Sequence, residues 1–201
     1  MPTAHIEVLV EEPSIEPVLD SLLPRIIPGT TFLVHVHGGK RDLKRKLPQR
    51  LRGYASWLPA DWRILVVMDR DDEDCRELKK WLDGVAAKAG LRTRTVSGGG
   101  AYQLANRIVV EELEAWFFGA WDAVRAAYPR LSALCPCKDP ENIRGGTWEA
   151  LERALQRAGY FPGGLRKIEL ARAVAEHLTP QGNRAHSFVV LRDVLVEMAV
   201  L

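Results

Sequence analysis

Three sets of acidic residues, far apart in the chain, each follow a run of apolar residues: Glu11 and Glu12, Asp69 and Asp71, and Glu111, Glu112 and Glu114. If those runs are strands of one parallel sheet, the acids gather beyond the carboxyl ends of the strands, where α/β proteins place their active crevice. Carboxylates held that close repel one another and raise each other's pKa values, and a divalent cation relieves the repulsion. Mg²⁺, or Mn²⁺ in its place, suits an all-oxygen set and takes one or two carboxylates plus water and substrate phosphate. Such an ion polarises a phosphoryl oxygen and activates water, and a second ion stabilises the leaving oxygen. Residues i and i+2 at a strand end share a side, so Asp69 and Asp71 are expected to reach one ion while Arg70 points away. The bland alternative is helix capping, the role expected of Asp72 and Asp74.

The elements that must position these acids are readable from periodicity. Strands are expected over His5–Val10, Thr31–His37, Trp62–Met68, Arg92–Val96 and Arg107–Val110. The continuous apolar run WRILVVM implies a strand buried on both faces. A helix capped by Ser14 is expected to close at Pro24 and Pro28, a second to be interrupted at Pro48, and a third to run from Asp72 or Asp74 to Gly90. Glu111 to Ala127 reads as one helix. Residues 129–146 read as an irregular connector, with three prolines, two cysteines and two glycines. Helices then follow, one capped by Thr147, one over Lys167–Leu178, and one from Ser187 to Val200 with Ser187 as a cap. The expected organisation is an α/β unit over 1–128 with a helical extension over 129–201 packed on it.

An apolar strand ending in Glu (Val8-Leu9-Val10-Glu11) and another ending in Asp-x-Asp (Val66-Val67-Met68-Asp69-Arg70-Asp71) resemble the Toprim domain of topoisomerases, primases and OLD-type nucleases. More closely, EVLVEEPSIEPVL, VVMDRDDEDCRELK, VVEELEAWFFG and GGTWEALERAL resemble a bacterial domain-of-unknown-function family of Toprim-like proteins. The resemblance implies a Toprim-like (Rossmann-like), mainly parallel sheet flanked by helices, with a C-terminal helical segment. It implies metal-dependent cleavage of nucleic acid by Glu11, Asp69 and Asp71, anti-phage or genome defence, and partnership with an ABC-type or AAA-type ATPase. Related defence proteins carry a Glu-x-Trp element, which makes Glu114 the additional ligand and Glu112 the runner-up. Glu12 departs from the motif, which commonly has Gly there. The rival expectation is a non-catalytic regulatory subunit of an ATPase-containing complex.

Phosphate grip is expected from the basic stretch after Gly38-Gly39, with Lys40 foremost and Arg41, Lys44 and Arg45 behind it, and more weakly from Lys167 and Arg184. His35 and His37 are expected to be satisfied strand histidines. Cys135 and Cys137 lack a second pair for a zinc site. No P-loop appears, so ATP hydrolysis would belong to another protein. The 201 residues carry a net charge of +2, so charge distribution rather than the total must argue for nucleic acid. Three cysteines suit reduced thiols in the cytoplasm. MPTAHIEVLVEEPS is not read as a signal peptide, and no apolar stretch suffices to span a membrane. A homodimer is left open.

Overall fold

The computed structural model describes residues 2–201. Four strands, β1 (His5–Val10), β2 (Thr31–Val36), β3 (Trp62–Asp69) and β4 (Leu104–Val109), form an all-parallel sheet in the order β2-β1-β3-β4. Between β1 and β2 runs helix α1 (Ile15–Ile26), between β2 and β3 runs α2 (Lys40–Trp57), and α3 (Cys75–Lys88) follows β3. The alternation of side chains along each strand sorts the core into two layers. Ile6, Val8, Val10, Leu65, Val67, Ala105 and Val109 face α1 and the C-terminal helices. Leu9, Ile64, Val66, Met68 and Leu104 face α2 and α3, against Leu43, Leu47, Leu51, Leu78 and Leu82. Helices on both faces bury β1 and β3 from their second residues on, which is why both strands are mostly apolar.

The strand order reverses between β1 and β3, since the chain goes from β1 outward to β2 and then back across to β3. A crevice at the carboxyl end of the sheet is expected at such a switch point.

The chain departs from several sequence expectations. Helix α1 runs through Pro24 to Ile26, and α2 runs through Pro48, because Leu43, Leu47, Leu51 and Tyr54 hold α2 on the sheet from both sides of the proline. Arg92–Val96 is no strand. Thr93 alone bridges to Leu104, and Arg94–Ser97 forms the short helix α4. Val96 is 68% exposed there, so no neighbour rewards extension. Glu111–Ala127 is two helices, α5 (Glu114–Gly119) and α6 (Trp121–Ala127), broken where Ala120 leaves helical geometry. Residues 129–146 are irregular, as expected, with no helix or strand.

Of the remaining helices, α7 (Thr147–Arg157) packs on α5, α8 (Lys167–Ala175) on α1 and α6, and α9 (His186–Ala199) on β4 and α1. The chain ends are tied together here: Thr3 donates through its main chain to Ala199 O and through Oγ1 to Met198 O. Neither expected hydroxyl cap on these helices forms, because both hydroxyls are drawn to tertiary partners. Gly146 caps α7 while Thr147 Oγ1 donates to Glu112 Oε2 at 3.1 Å. Ala185 caps α9 while Ser187 Oγ accepts from Trp116 Nε1 at 3.0 Å. No helix among the described residues is long and apolar enough to cross a membrane.

Candidate metal centre

Glu11 and Asp69 meet at the switch point, one after β1 and one closing β3. Asp69 N–H donates to Glu11 Oε2 at 3.3 Å. Asp69 is buried, and burial pushes its pKa well above the usual carboxylate range, with Glu11, Glu12, Glu114 and Asp71 adding like charge. Burial also raises Glu11, to about 7, against the pull of Lys40 and with Asp71 adding to the rise. Glu114 begins α5 and is only 1% exposed. Burial takes it to about 7 despite the opposing charge of Lys167, and its Oε2 has no hydrogen-bond partner.

Asp71 reaches the same neighbourhood by a different route from the one its spacing implied. The strand ends at Asp69, and Asp71 sits in the left-handed region at φ 49°, which Asp tolerates better than most residues. Its carboxylate turns outward to Lys40 Nζ at 2.7 Å. Arg70 does point away, to Glu111 Oε1 at 3.3 Å.

Lys40 enters the crevice as expected. Gly39, at φ 89°, makes the turn and donates to Glu11 O, so the loop after β2 is tied to the end of β1. The Lys40 ammonium is engaged by Asp71, by Glu73 at 3.1 Å and by Arg70 O at 3.1 Å. Burial works to lower its pKa, but the bonds to Asp71 and Glu73 outweigh it and the net shift is upward. Lys167, expected only weakly, lies between Glu114 at 3.7 Å and Glu12 at 3.9 Å, over the Trp148 ring at 4.9 Å. Glu12, where the motif commonly has Gly, is thus bound to Lys167 and to Ser14 Oγ. Glu112 is occupied by Thr147.

The other expected basic contacts are not gathered here. Lys44 pairs with Glu73 and Arg45 with Asp42, while Arg41 is exposed on α2. Arg184 donates to Lys138 O and lines a cavity with Trp121 and His177, away from Glu11, Asp69 and Glu114. His35 is satisfied by Glu7 and Arg50, and His37 by Val10 O. The Cys135 and Cys137 sulfurs lie 3.5 Å apart as free thiols. Sequence reasoning missed Glu73 and Trp148 as neighbours of the two lysines; GGTW was visible, but its use as a platform for Lys167 depends on how α7 meets α8.

Among the described residues no three His, Cys, Asp or Glu side chains are arranged to enclose a metal ion. Mg²⁺ does not require a cage, since one or two carboxylates with water suffice. Glu11 and Asp69 fit that requirement, and the orphaned Glu114 oxygen is a further hard donor facing the same charge cluster.

A four-stranded all-parallel sheet flanked by helices, with acids at its switch point, defines a Toprim-like α/β protein. A family model described as "Domain of unknown function (DUF4276)" matches residues 10–195, and the chain belongs to that family. The fold is similar to the C-terminal region of the Xanthomonas campestris pv. campestris OLD protein in its iodine-phased structure, with a TM-score of 0.50, 15% identity and 96% of each chain covered. The mercury- and platinum-phased structures of the same region give TM-scores of 0.42 and 0.44, both at 15% identity, with coverage of 95% or more. At that identity the likeness is one of fold. No curated protein matches the sequence.

Proposed function

We propose that the protein is a Mg²⁺- or Mn²⁺-dependent phosphodiesterase acting on nucleic acid, working with an ABC-type or AAA-type ATPase in defence against foreign genomes. The observation that carries this reading is the excess of negative charge at the switch point. Glu11, Asp69 and Glu114 come from three distant chain segments and are all held above the ordinary carboxylate range, chiefly by burial and in addition by neighbouring carboxylates. A structural role alone gives no reason to assemble such a cluster, since each buried acid costs stability when ionised. When bound, a divalent ion supplies Lewis acidity toward a phosphoryl oxygen. Glu11 and Asp69 would hold it, with Asp71 and Glu114 flanking. Lys40 is set to orient a phosphate once Asp71 turns from it, and Lys167 keeps Glu114 in place.

One observation favours a second reading, a regulatory subunit without catalysis. Lys40 and Lys167 already supply cationic partners to Asp71 and Glu114, so part of the charge is answered within the chain.

Calorimetric titration with Mg²⁺ and Mn²⁺, paired with cleavage assays on DNA and RNA, separates the two. The phosphodiesterase reading expects metal binding and cleavage in the wild type and neither in Asp69→Ala. Absence of metal binding by the wild type, with and without nucleic acid, would leave the regulatory reading.

A further inference from the structure

Strand β4 is an edge strand, whose outer side is met by Arg92 and Thr93 at Leu104 and, among the described residues, pairs with no strand beyond it. A cavity of about 670 Å³ runs along it, walled by α3 on one side and by α9 on the other. Gln103 O and Val109 O accept from Ile64 and Arg70 of the β3 side. By the alternation of a parallel ladder, Asn106 and Ile108 therefore turn their main-chain groups toward the cavity. Its floor is apolar, with Ile108, Val110 and Val190, and its rim is basic.

The rim carries more cations than the chain answers. Arg76, Lys79 and Lys80 stand at helical spacing on one face of α3, and Arg107 comes from β4. Two acids are near. Asp83 is taken by Lys79 at 3.1 Å and by Asn106 Nδ2 at 2.8 Å. Glu197 is taken by Arg94 at 2.7 Å. Among the described residues Arg76, Lys80 and Arg107 have no carboxylate partner, and Arg107 Nε is buried with no hydrogen-bond partner at all. Asn106, 1% exposed, leaves its Oδ1 unpaired in the same wall. Burial lowers the pKa values of both Lys79 and Arg107, the mark of cations held without enough counter-charge. On α2, Lys40, Lys44, Arg45 and Lys46 are bound to acids of the chain, whereas Arg41, Arg50 and Arg52 are not, among the described residues.

The cavity opens beside the segments that flank the candidate metal centre, and Glu11, Asp69, Asp71 and Glu114 are not among its lining residues. Val110 in its wall precedes Glu111, Cys75 and Arg76 open the helix that follows Asp71, and Ser187 holds Trp116 two residues from Glu114. We propose that this cleft is the path of a single nucleic-acid strand into the centre, with Arg107, Arg76 and Lys80 gripping its phosphates. The apolar floor offers packing to unstacked bases, which a duplex keeps to itself. The choice of nucleic acid as the polyanion rests on the phosphodiesterase reading.

Fluorescence anisotropy of a labelled oligothymidylate in EDTA measures the strand path without cleavage. Arg76→Ala/Lys80→Ala, both exposed, is expected to weaken binding about tenfold and to lower the slope of log affinity against log salt by about 1.4, at about 0.7 per phosphate contact. Arg107→Gln is expected to act in the same direction, and Lys88→Ala, on the last turn of α3 outside the cleft, to change neither quantity. Unaltered circular dichroism in the double variant excludes misfolding as the cause. Wild type that does not bind, variants that bind like wild type, equal affinity for a duplex of the same length, or equal affinity for polyglutamate would each overturn the proposal. The two readings fail separately. Cleft-dependent binding with no metal-dependent cleavage removes the phosphodiesterase and leaves the strand path; cleavage that depends on Asp69 but not on the cleft residues does the opposite.

Discussion

Glu114→Gln should stabilise the protein, and only at the alkaline end of the pH range. Glu114 is 1% exposed, its Oε2 has no partner, and its pKa stands at about 7 against an ordinary 4.5. The folded chain therefore holds a proton that the unfolded chain releases. Stability falls as pH rises from about 4.5 to about 7 and stays low above that range. A shift of about 2.5 units corresponds to roughly 3 kcal/mol, with the attraction of Lys167 already contained in the shift. Glutamine keeps the shape of the protonated acid and cannot ionise. At pH 8 the variant is expected to gain about 3 kcal/mol over wild type, or about 6–12 °C in Tm for a chain of this size. At pH 4 the two should unfold together to within about 1 kcal/mol. Urea unfolding followed by circular dichroism in metal-free buffers across pH 4–8 reads this directly. A variant that is less stable at every pH, or a difference that does not change with pH, would refute the assignment of Glu114 as a carboxylate buried at a cost.

Three further outcomes are expected. Glu7 is the opposite kind of acid: burial opposes its charge, but hydrogen bonds from His35 and Tyr54 outweigh burial and lower its pKa. Its stabilisation is present above pH 4.5 and lost as pH falls through the lowered value, so Glu7→Gln should cost about 1–3 kcal/mol at pH 7 and less at pH 3, measured by urea unfolding. Gly119→Ala places a Cβ 2.0 Å from Asn183 Oδ1 and 2.7 Å from Ala185 N, so an overpacking cost of about 1–3 kcal/mol, or about 2–12 °C in Tm, should appear in thermal melts. Mg²⁺ binding at pH 6 should release protons, because Glu11 and Glu114 stand near 7 and must give them up to a cation; calorimetry in buffers of different ionisation enthalpy measures the number, which should fall toward zero by pH 8.5 except for what Asp69 still holds.

The sheet was legible where burial on both faces leaves a mark on composition. WRILVVM reads as a strand buried on both faces and His5–Val10 as a short strand, and their ends deliver Glu11 and Asp69 to one edge. What local pattern could not carry was decided by partners distant in sequence. The break at Ala120 follows from the approach of Asn183 and Ala185 to Gly119, contacts across more than sixty residues. Thr147 and Ser187 have the hydroxyls of helix caps and spend them on Glu112 and Trp116. The basic run on α2 promised phosphate grip, but four of its seven cations, Lys40, Lys44, Arg45 and Lys46, are engaged by Asp71, Glu73 and Asp42. Of the unpaired cations of the cleft, Arg107 lies in a strand, where LANRIV shows two polar residues at the centre of an apolar run. That interruption was the one visible signal of the β4 cleft.

The two lysines bear on how the centre exists without a metal and how it would respond to one. Glu11, Glu12, Asp69, Asp71 and Glu114 face Lys40 and Lys167, so full ionisation leaves an excess of negative charge in a partly dry crevice. The chain has two ways to settle that excess, protonation of the buried acids or capture of a cation, and the raised values of Glu11 and Glu114 put the choice close to neutral pH. The lysines are placed unequally. Lys40 binds the exposed Asp71 and Glu73, outside the Glu11–Asp69 pair, whereas Lys167 serves Glu12 and the buried Glu114. Neither ammonium forms an ion pair with the buried Asp69, so on the proposed metal-centre reading the pair at the switch point is the part of the cluster open to an external ion. A cation there would compete with Lys40 for Asp71, and the ammonium would keep Glu73 and Arg70 O as partners.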